Sequence, residues 1–313
     1  MQLIEMNNIS VLVLGDIMLD HFIYGTVERI SPEAPVPVVN VSKESDILGG
    51  CGNIINNLFN IGVSINVISV LGGDAKGKKI INKLSKLGID IDNLYESVNM
   101  TTTYKMRIIA DRQHIVRADW EGSNLTERQE KEILSSLDNL LPRCDGIIIS
   151  DYGKGLCTNN IVTTTIQKAR ESNIPIFIDP KGKDWHKYSG ATFITPNTNE
   201  VSSINDHKLS NDNDFEDIGN HIIETYAIDH CLITRGSEGM TLVSRDDTFH
   251  VTSNAKEVFD VSGAGDTVIS CLAAAILNGD SLRDAVNFSN KAAGIVVGHV
   301  GTAPISKEEL KNI

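Results

Sequence analysis

Near the C-terminus, the run Val261-Ser262-Gly263-Ala264-Gly265-Asp266-Thr267 sets a glycine-flanked turn against a carboxylate and then against an apolar stretch, 267–277, closed by Asn278-Gly279. The stretch reads as a buried helix ended by its glycine. The first N–H groups of a helix lack intrahelical partners and carry its positive end, so amides at Gly263, Ala264 and Gly265 could hold an anion. A carboxylate at Asp266 could take the proton of a hydroxyl group while those amides stabilise a transferring phosphoryl group. Asp is also a favoured N-cap, and local residues alone account for Asp266 equally well as a plain cap.

Other residues could do chemistry beside it. Asp16 and Asp20 flank the end of the first apolar run, where ligands of open α/β sheets bind, and carboxylates there could fix hydroxyl groups. In Gly49-Gly50-Cys51-Gly52-Asn53 the glycines allow close approach to the backbone, and Asn53 can donate and accept at once. Caps and a tight turn are the structural alternatives. Alternation in Tyr104-Lys105-Met106-Arg107-Ile108 puts Lys105 and Arg107 on one strand face. With Arg117 and Lys181 they could meet a phosphate group, or simply form a solvated face. Gly72-Gly73-Asp74-Ala75-Lys76-Gly77-Lys78-Lys79 imitates a phosphate-binding loop but has Lys79 where a Ser or Thr should meet Mg²⁺, so it is expected to be a structural turn.

The elements that must position these residues follow from the apolar pattern. Strand-length runs at 9–14, 65–71, 146–150, 174–178, 192–195 and 230–234 alternate with helical segments at 53–61, 75–87, 126–141, 159–172, 215–226 and 282–298. That order predicts an α/β fold with a doubly wound, mainly parallel sheet covered by helices on both faces. Residues 22–24 with 36–41, and 103–109 with 114–119, are rich in β-branched residues and lack intervening helices. They predict a small antiparallel β lid formed by inserted segments at about 21–43 and 102–120 of a single domain spanning 1–313.

Composition sets outer limits. A net charge of −13 disfavours nucleic acid and anionic membranes as partners. No apolar run approaches the roughly 20 residues that span a bilayer. The first eight residues lack the pattern of a secretory signal, and Cys51, Cys144, Cys157, Cys231 and Cys271 have no metal-type spacing. Reduced core cysteines and a cytoplasmic location are the expectation.

Gly263-Ala264-Gly265-Asp266 preceded by Asp260, together with Gly49-Gly50-x-x-Asn53, resembles the paired signatures of the ribokinase-like, phosphofructokinase-B type sugar kinases. The match runs in order from about Val11 to about Gly301. Within that family, Arg29-Ile30-Ser31-Pro32-Glu33-Ala34-Pro35-Val36-Pro37-Val38, Ser150-Asp151-Tyr152-Gly153-Lys154-Gly155, Asp179-Pro180-Lys181-Gly182 and Thr195-Pro196-Asn197-x-x-Glu200 resemble the heptose 7-phosphate kinases. The resemblance implies ATP-dependent phosphorylation of O1 of D-glycero-D-manno-heptose 7-phosphate, in ADP-heptose biosynthesis, with Asp266 as base. It implies sugar contacts at Asp16, Asp20, Gly49, Gly50 and Asn53, and a cationic pocket at Lys105, Arg107, Arg117 and Lys181. Asn197 and Glu200 would position the Mg²⁺-bound phosphates through water. Thr234, Gly236, Gly239 and Asn290 would border the nucleotide.

The resemblance further implies that the lid covers the sugar and joins two copies as a homodimer, and that a monovalent cation such as K⁺ binds near Asp260 and the 298–301 loop. Some relatives carry a fused adenylyltransferase; with 313 residues, a kinase domain alone is expected. Cys51 and Ile55 stand where small residues are common in the family, which leaves pocket shape open. A same-fold kinase for another sugar phosphate or a nucleoside, and a catalytically silent sugar or nucleotide sensor, remain the alternative readings.

Overall fold

The computed structural model describes residues 6, 8–97, 100–111, 113–122, 125–205, 209–255, 257–299 and 301–313. The expected lack of a signal segment at 1–8 thus falls mostly outside the described residues. β1 (Ser10–Gly15) leads, through Asp16 alone, into two long strands, β2 (Ile17–Ile30) and β3 (Pro37–Gly50). They are followed by α1 (Cys51–Ile61), β4 (Ser64–Gly72), α2 (Ala75–Lys86), β5 (Leu94–Ser97), β6 (Tyr104–Ala110) and β7 (Gln113–Trp120). Next come α3 (Glu127–Leu140), β8 (Gly146–Ser150), α4 (Asn159–Glu171), β9 (Ile176–Asp179), β10 (Phe193–Ile194) and α5 (Thr198–Ile204). The remainder is α6 (Asp212–Tyr226), β11 (His230–Thr234), β12 (Met240–Ser244), β13 (Thr248–Val251), α7 (Ala264–Leu277), α8 (Leu282–Val296) and α9 (Lys307–Leu310).

Nine strands form the main sheet in the order β13-β12-β11-β10-β9-β8-β1-β4-β5. All are parallel from β11 to β5; β12 and β13 close one edge as antiparallel strands that periodicity does not predict. The central strand explains the continuous apolar runs. Val11 and Val13 pack into one core with α1, α7 and α8, whereas Leu12 and Leu14 pack into a second with α3, α4 and α6. Because the side-chain period of a strand is two, both faces of β1 must be apolar when both are covered. The strand order reverses between β4 and β8 on either side of β1, so the ends of β1 and β8 mark the crevice where such sheets take ligands.

The lid is a four-stranded sheet ordered β3-β2-β6-β7. It consists of two antiparallel hairpins whose inner strands, β2 and β6, run parallel to each other. Its strands are much longer than the β-branched runs at 22–24 and 36–41. β2 and β3 start and end at the core itself, at Ile17 and Gly50. The helix expected from residue 53 starts at Cys51, after Gly50, and the helix expected from 267 starts at Ala264, after Gly263. No helix among the described residues is long and apolar enough to cross a membrane. All five cysteines are buried and free.

Gly50 joins lid to core in a backbone conformation of φ 59° and ψ −137°, which side-chain-bearing residues avoid. A Cβ there would stand 2.3 Å from the Asp16 carbonyl oxygen. Gly50→Ala is therefore expected to cost roughly 1–3 kcal/mol or more, seen as a lower thermal unfolding midpoint; an unchanged midpoint contradicts this reading of the junction.

Candidate active site

Seven of the nine helices among the described residues begin with a side-chain cap: Asp74, Thr126, Thr158, Asn197, Asn211, Ser281 and Ser306 each accept from an amide of the first turn. Only α1 and α7 begin with a glycine at positive φ and no side-chain cap. These two starts meet. Asn53, fully buried in the first turn of α1, donates from Nδ2 to Asp266 Oδ2 at 2.9 Å and, more distantly, to the Gly263 carbonyl at 3.5 Å. A Cβ on Gly263 would lie 2.5 Å from Asn53 Nδ2, so only glycine lets the two helices approach.

Asp266 is not the cap of α7, since it stands third in the helix. Its carboxylate makes no cap bond to the helix start and accepts from Asn53 on one oxygen and from the Tyr152 hydroxyl, at 2.9 Å, on the other. Only 3% of Asp266 is exposed. Burial raises its pKa from 3.8 to about 6, against the opposing effect of the two donors; nearby Asp20 raises it further and Lys105 lowers it. A carboxylate tuned toward neutrality suits a general base.

Of the three amides expected to be free, that of Ala264 is engaged, while that of Gly263 has no acceptor among the described residues. Ala264 N–H donates back to the Val261 carbonyl at 3.2 Å, closing the turn, whereas the amides of Gly265 and Asp266 have no acceptor among the described residues. Ala264 and Gly265 line a cavity of about 750 Å³. The same cavity is bordered by Asn197, Thr234, Gly236, Gly239 and Asn290, which sequence reasoning grouped as nucleotide-side residues. Val258, Val261, Val268 and Val297 give it an apolar wall that sequence reasoning did not assign. A second cavity of about 980 Å³ lies against the lid at Tyr24, Lys43 and His114, and shares Val258 and Val261 with the first. Asp266 lines neither, and is itself buried.

The residues expected to contact a sugar have different duties in the structure. Asp16 accepts three backbone amides, from Tyr152 (3.0 Å), Lys154 (2.9 Å) and Leu156 (3.0 Å), and so holds the 151–156 loop in place. Asp20 accepts from Arg107 Nη1 at 2.6 Å, and a Cβ on Gly49 would strike Asp20 Oδ2 at 2.1 Å. Register places Asp20 beside Lys105, and Arg107 beside Arg117, across neighbouring lid strands. Lys105 has no ion pair among the described residues; burial lowers its pKa. Its Nζ lies 5.7 Å from the centre of the Tyr152 ring. Arg117 is more exposed and pairs with Asp119. Lys181 lies apart from the lid, with Nζ 3.4 Å from Glu200. Lys154, paired with Glu121, adds a cation near Lys105 that sequence reasoning did not single out.

Among the residues expected on the nucleotide side, Asn197 and Glu200 cap α5 reciprocally at 3.0 Å each, so Asn197 Oδ1 and Glu200 Oε2 are engaged, while Glu200 Oε1 meets Lys181. Asp179, at the end of β9, lies within electrostatic reach of Asp266 and Glu200. Desolvation, with Asp266 and Glu200 negative nearby, raises its pKa well above the ordinary value. For a metal, the tight grouping among the described residues is Asp16, Asp151 and Cys157. It is unsuited: Asp16 holds three amides, and Asp151 accepts from Lys187, Tyr188 and the Gly153 amide. A Mg²⁺ ion near Asn197, Glu200 and Asp179 would fit a site completed by phosphate oxygens and water. Asp260 accepts from the Ser262 and Gly301 amides, bringing the 260 and 298–301 segments together; Val300 lies outside the described residues. In the phosphate-loop imitation, Asp74 occupies the Lys76 and Gly77 amides, and Lys79 pairs with Asp46 at 2.7 Å, so that turn is structural.

A sheet with this order, a glycine-started helix bearing a buried Asp, and a β lid define a kinase-type site. The family model described as pfkB family carbohydrate kinase matches residues 8–309, and the chain belongs to that family. Among curated relatives, "Bifunctional protein HldE" of Aliarcobacter butzleri is 40% identical over 302 residues, 96% of this chain and 63% of that protein. The protein of the same name from Geobacter sulfurreducens is 40% identical over 304 residues, covering 96% and 62%. The chain thus spans a little under two thirds of the length of these relatives. Among solved structures, phosphofructokinase-2 from Escherichia coli in complex with potassium superposes with a TM-score of 0.80 at 19% identity, covering 98% of this chain and 97% of that one. Arabidopsis thaliana ribokinase complexed with ribose and ATP gives 0.76 at 17% identity, covering 96% and 97%.

The raised pKa of Asp266 has a sign that stability can report. Between about pH 4 and pH 6 the native state keeps a proton that the unfolded chain has released, so stability falls as pH rises through that window. Asp266→Asn removes this loss, and Asn53 Oδ1, which has no hydrogen-bond partner among the described residues, is available to meet the new amide. Urea unfolding should find the variant more stable than the parent at about pH 8, with the advantage gone below about pH 4. An unchanged difference across that range contradicts the shifted pKa.

Proposed function

We propose that this chain transfers the γ-phosphoryl group of ATP to O1 of D-glycero-D-manno-heptose 7-phosphate, giving the 1,7-bisphosphate in ADP-heptose biosynthesis. The observation that carries the kinase reading is the pairing of a near-neutral Asp266 carboxylate with the unpaired Gly265 and Asp266 amides of the same helix start. The choice of heptose rests on the segments 29–38, 150–155, 179–182 and 195–200 and their resemblance to heptose 7-phosphate kinases.

In this reading the nucleotide occupies the 750 Å³ cavity, with its phosphates directed at α7. The sugar enters between the lid and the 150–156 loop, so the lid must open to uncover Asp266 and close again to exclude water. The anomeric hydroxyl gives its proton to Asp266, and its oxygen forms a bond to the γ-phosphorus. The bond from that phosphorus to the β,γ-bridging oxygen breaks with its electron pair going to ADP. The Gly265 and Asp266 amides hold the equatorial oxygens as charge develops. Mg²⁺, when bound, would neutralise phosphate charge, with Asn197, Glu200 and Asp179 orienting its waters. Lys105, Arg107 and Arg117 supply the cationic face for the sugar's own phosphate. Exposed Val36, Val41 and Val116 on the lid support a homodimer through that sheet.

The test is ADP release with heptose 7-phosphate, fructose 6-phosphate, ribose and adenosine in parallel. Heptose 7-phosphate should give the highest kcat/KM, and preference for another acceptor overturns the heptose assignment. Asp266→Asn should lower kcat by ~10²–10⁴ while leaving ATP binding intact. Lys105→Ala should raise KM for the phosphorylated sugar more than KM for ATP. Near-parental turnover in the first variant, or an unchanged sugar KM in the second, rejects the role given to that residue.

A further inference from the structure

The 150–156 loop does more than border the site. It leaves β8 at Ser150, and its conformation is set by the three amides that Asp16 accepts. From this anchored loop, Tyr152 reaches Asp266, 114 residues further along the chain, and donates its hydroxyl to Oδ1 at 2.9 Å. Asn53 holds the other oxygen at the same distance. The Tyr152 ring is partly exposed while its hydroxyl is turned inward, and Lys105 approaches the ring from the lid. Buried next to a carboxylate, the phenol has a pKa well above its ordinary value and so remains a donor at neutral pH.

We infer that Tyr152 is a positioning residue for phosphoryl transfer: with Asn53 it holds the Asp266 carboxylate by one oxygen each and fixes the direction of the lone pairs left to meet a substrate hydroxyl. A carboxylate has about four acceptor positions, so two fixed donors leave two. Without the phenol, the carboxylate is held on one side only and can rotate about its Cβ–Cγ bond. Loss of orientation lowers turnover even when substrates bind, because the reacting atoms must align within fractions of an ångström. The same hydroxyl stabilises the charged form of Asp266, so its removal should also move the titration of the base. The other groups facing Asp266 are Asp20 and Lys105 of the lid, Asn53 and Cys51 of α1, and Asp179 at the end of β9. Substituting Tyr152 leaves the charge of each unchanged. The inference deepens the proposed kinase reading and assigns Asp16 an indirect part, as the anchor of the loop that carries the phenol.

Tyr152→Phe deletes one oxygen atom. The carboxyl carbon of Asp266 can be followed by ¹³C NMR through a pH titration of the parent and of Tyr152→Phe, with Asp266→Asn supplying the assignment. The midpoint is expected to rise by roughly one unit, from the strength of a hydrogen bond to a charged group. The acid limb of the kcat profile should move with it, while kcat at its plateau falls ~10-fold and both KM values change little. A structural role alone would lower the unfolding midpoint and leave the titration where it was; that result overturns the inference. Should Tyr152→Phe fail to fold, 3-fluorotyrosine placed at position 152 keeps the hydroxyl and makes it a stronger donor. The Asp266 midpoint must then move down, and an unmoved midpoint again overturns the inference. The titration needs no substrate, so a shift without heptose turnover would remove the heptose reading and leave Tyr152 in place. Heptose turnover without a shift would do the reverse.

Discussion

The structure depends on one buried carboxylate, Asp266, being held by donors from two distant segments: Asn53 in the first turn of α1 and Tyr152 in the loop after β8. An ionised group costs free energy when removed from water, and its pKa rises until partners restore the charged form. Here the two donors restore it only in part, which leaves the group near neutrality. A fully solvated Asp would be too weak a base, and a buried one without donors would remain protonated. The geometry of α1, α7 and the 150–156 loop is therefore the geometry of one acid–base group.

That requirement explains why α1 and α7 start as they do. Elsewhere the chain closes its helix starts with Asp, Asn, Ser or Thr, which satisfies amides and leaves nothing for a ligand. At Gly50 and Gly263 it gives up the cap. Glycine at positive φ turns the backbone sharply, lets the two helix starts meet, and leaves the amides of Gly265 and Asp266 without an acceptor among the described residues, Gly265 at the wall of the 750 Å³ cavity. The lid completes the arrangement electrostatically: Asp20 and Lys105 sit side by side above Asp266 with opposite effects on it.

Much of this was legible in the chain. Continuous apolar runs located six of the seven parallel strands because both faces of the sheet are covered there; the short edge strand β5 has no such run. The glycine pairs marked the two uncapped helix starts. α7 starts three residues before its apolar run, since Ala264-Gly265-Asp266 has none of the apolar periodicity that betrays a helix. The short strands β12 and β13 lie at an edge and follow a local hairpin, so they escaped a pattern keyed to strand–helix alternation. Asp16 and Tyr152 show the deeper limit. Tyr152 stands in a recognisable motif and Asp16 at the end of an apolar run, but that Asp16 accepts backbone amides from the 151–156 loop, and that Tyr152 reaches Asp266, are consequences of tertiary approach that spacing along the chain does not encode.

The most direct test of the account is a crystal structure with ADP, Mg²⁺, aluminium fluoride and heptose 7-phosphate. The account predicts the fluoride complex against the Gly265 and Asp266 amides, and the sugar's anomeric hydroxyl within hydrogen-bond distance of an Asp266 oxygen still held by Asn53 or Tyr152. A fluoride complex seated away from the start of α7, or a sugar hydroxyl directed at another base, would contradict it.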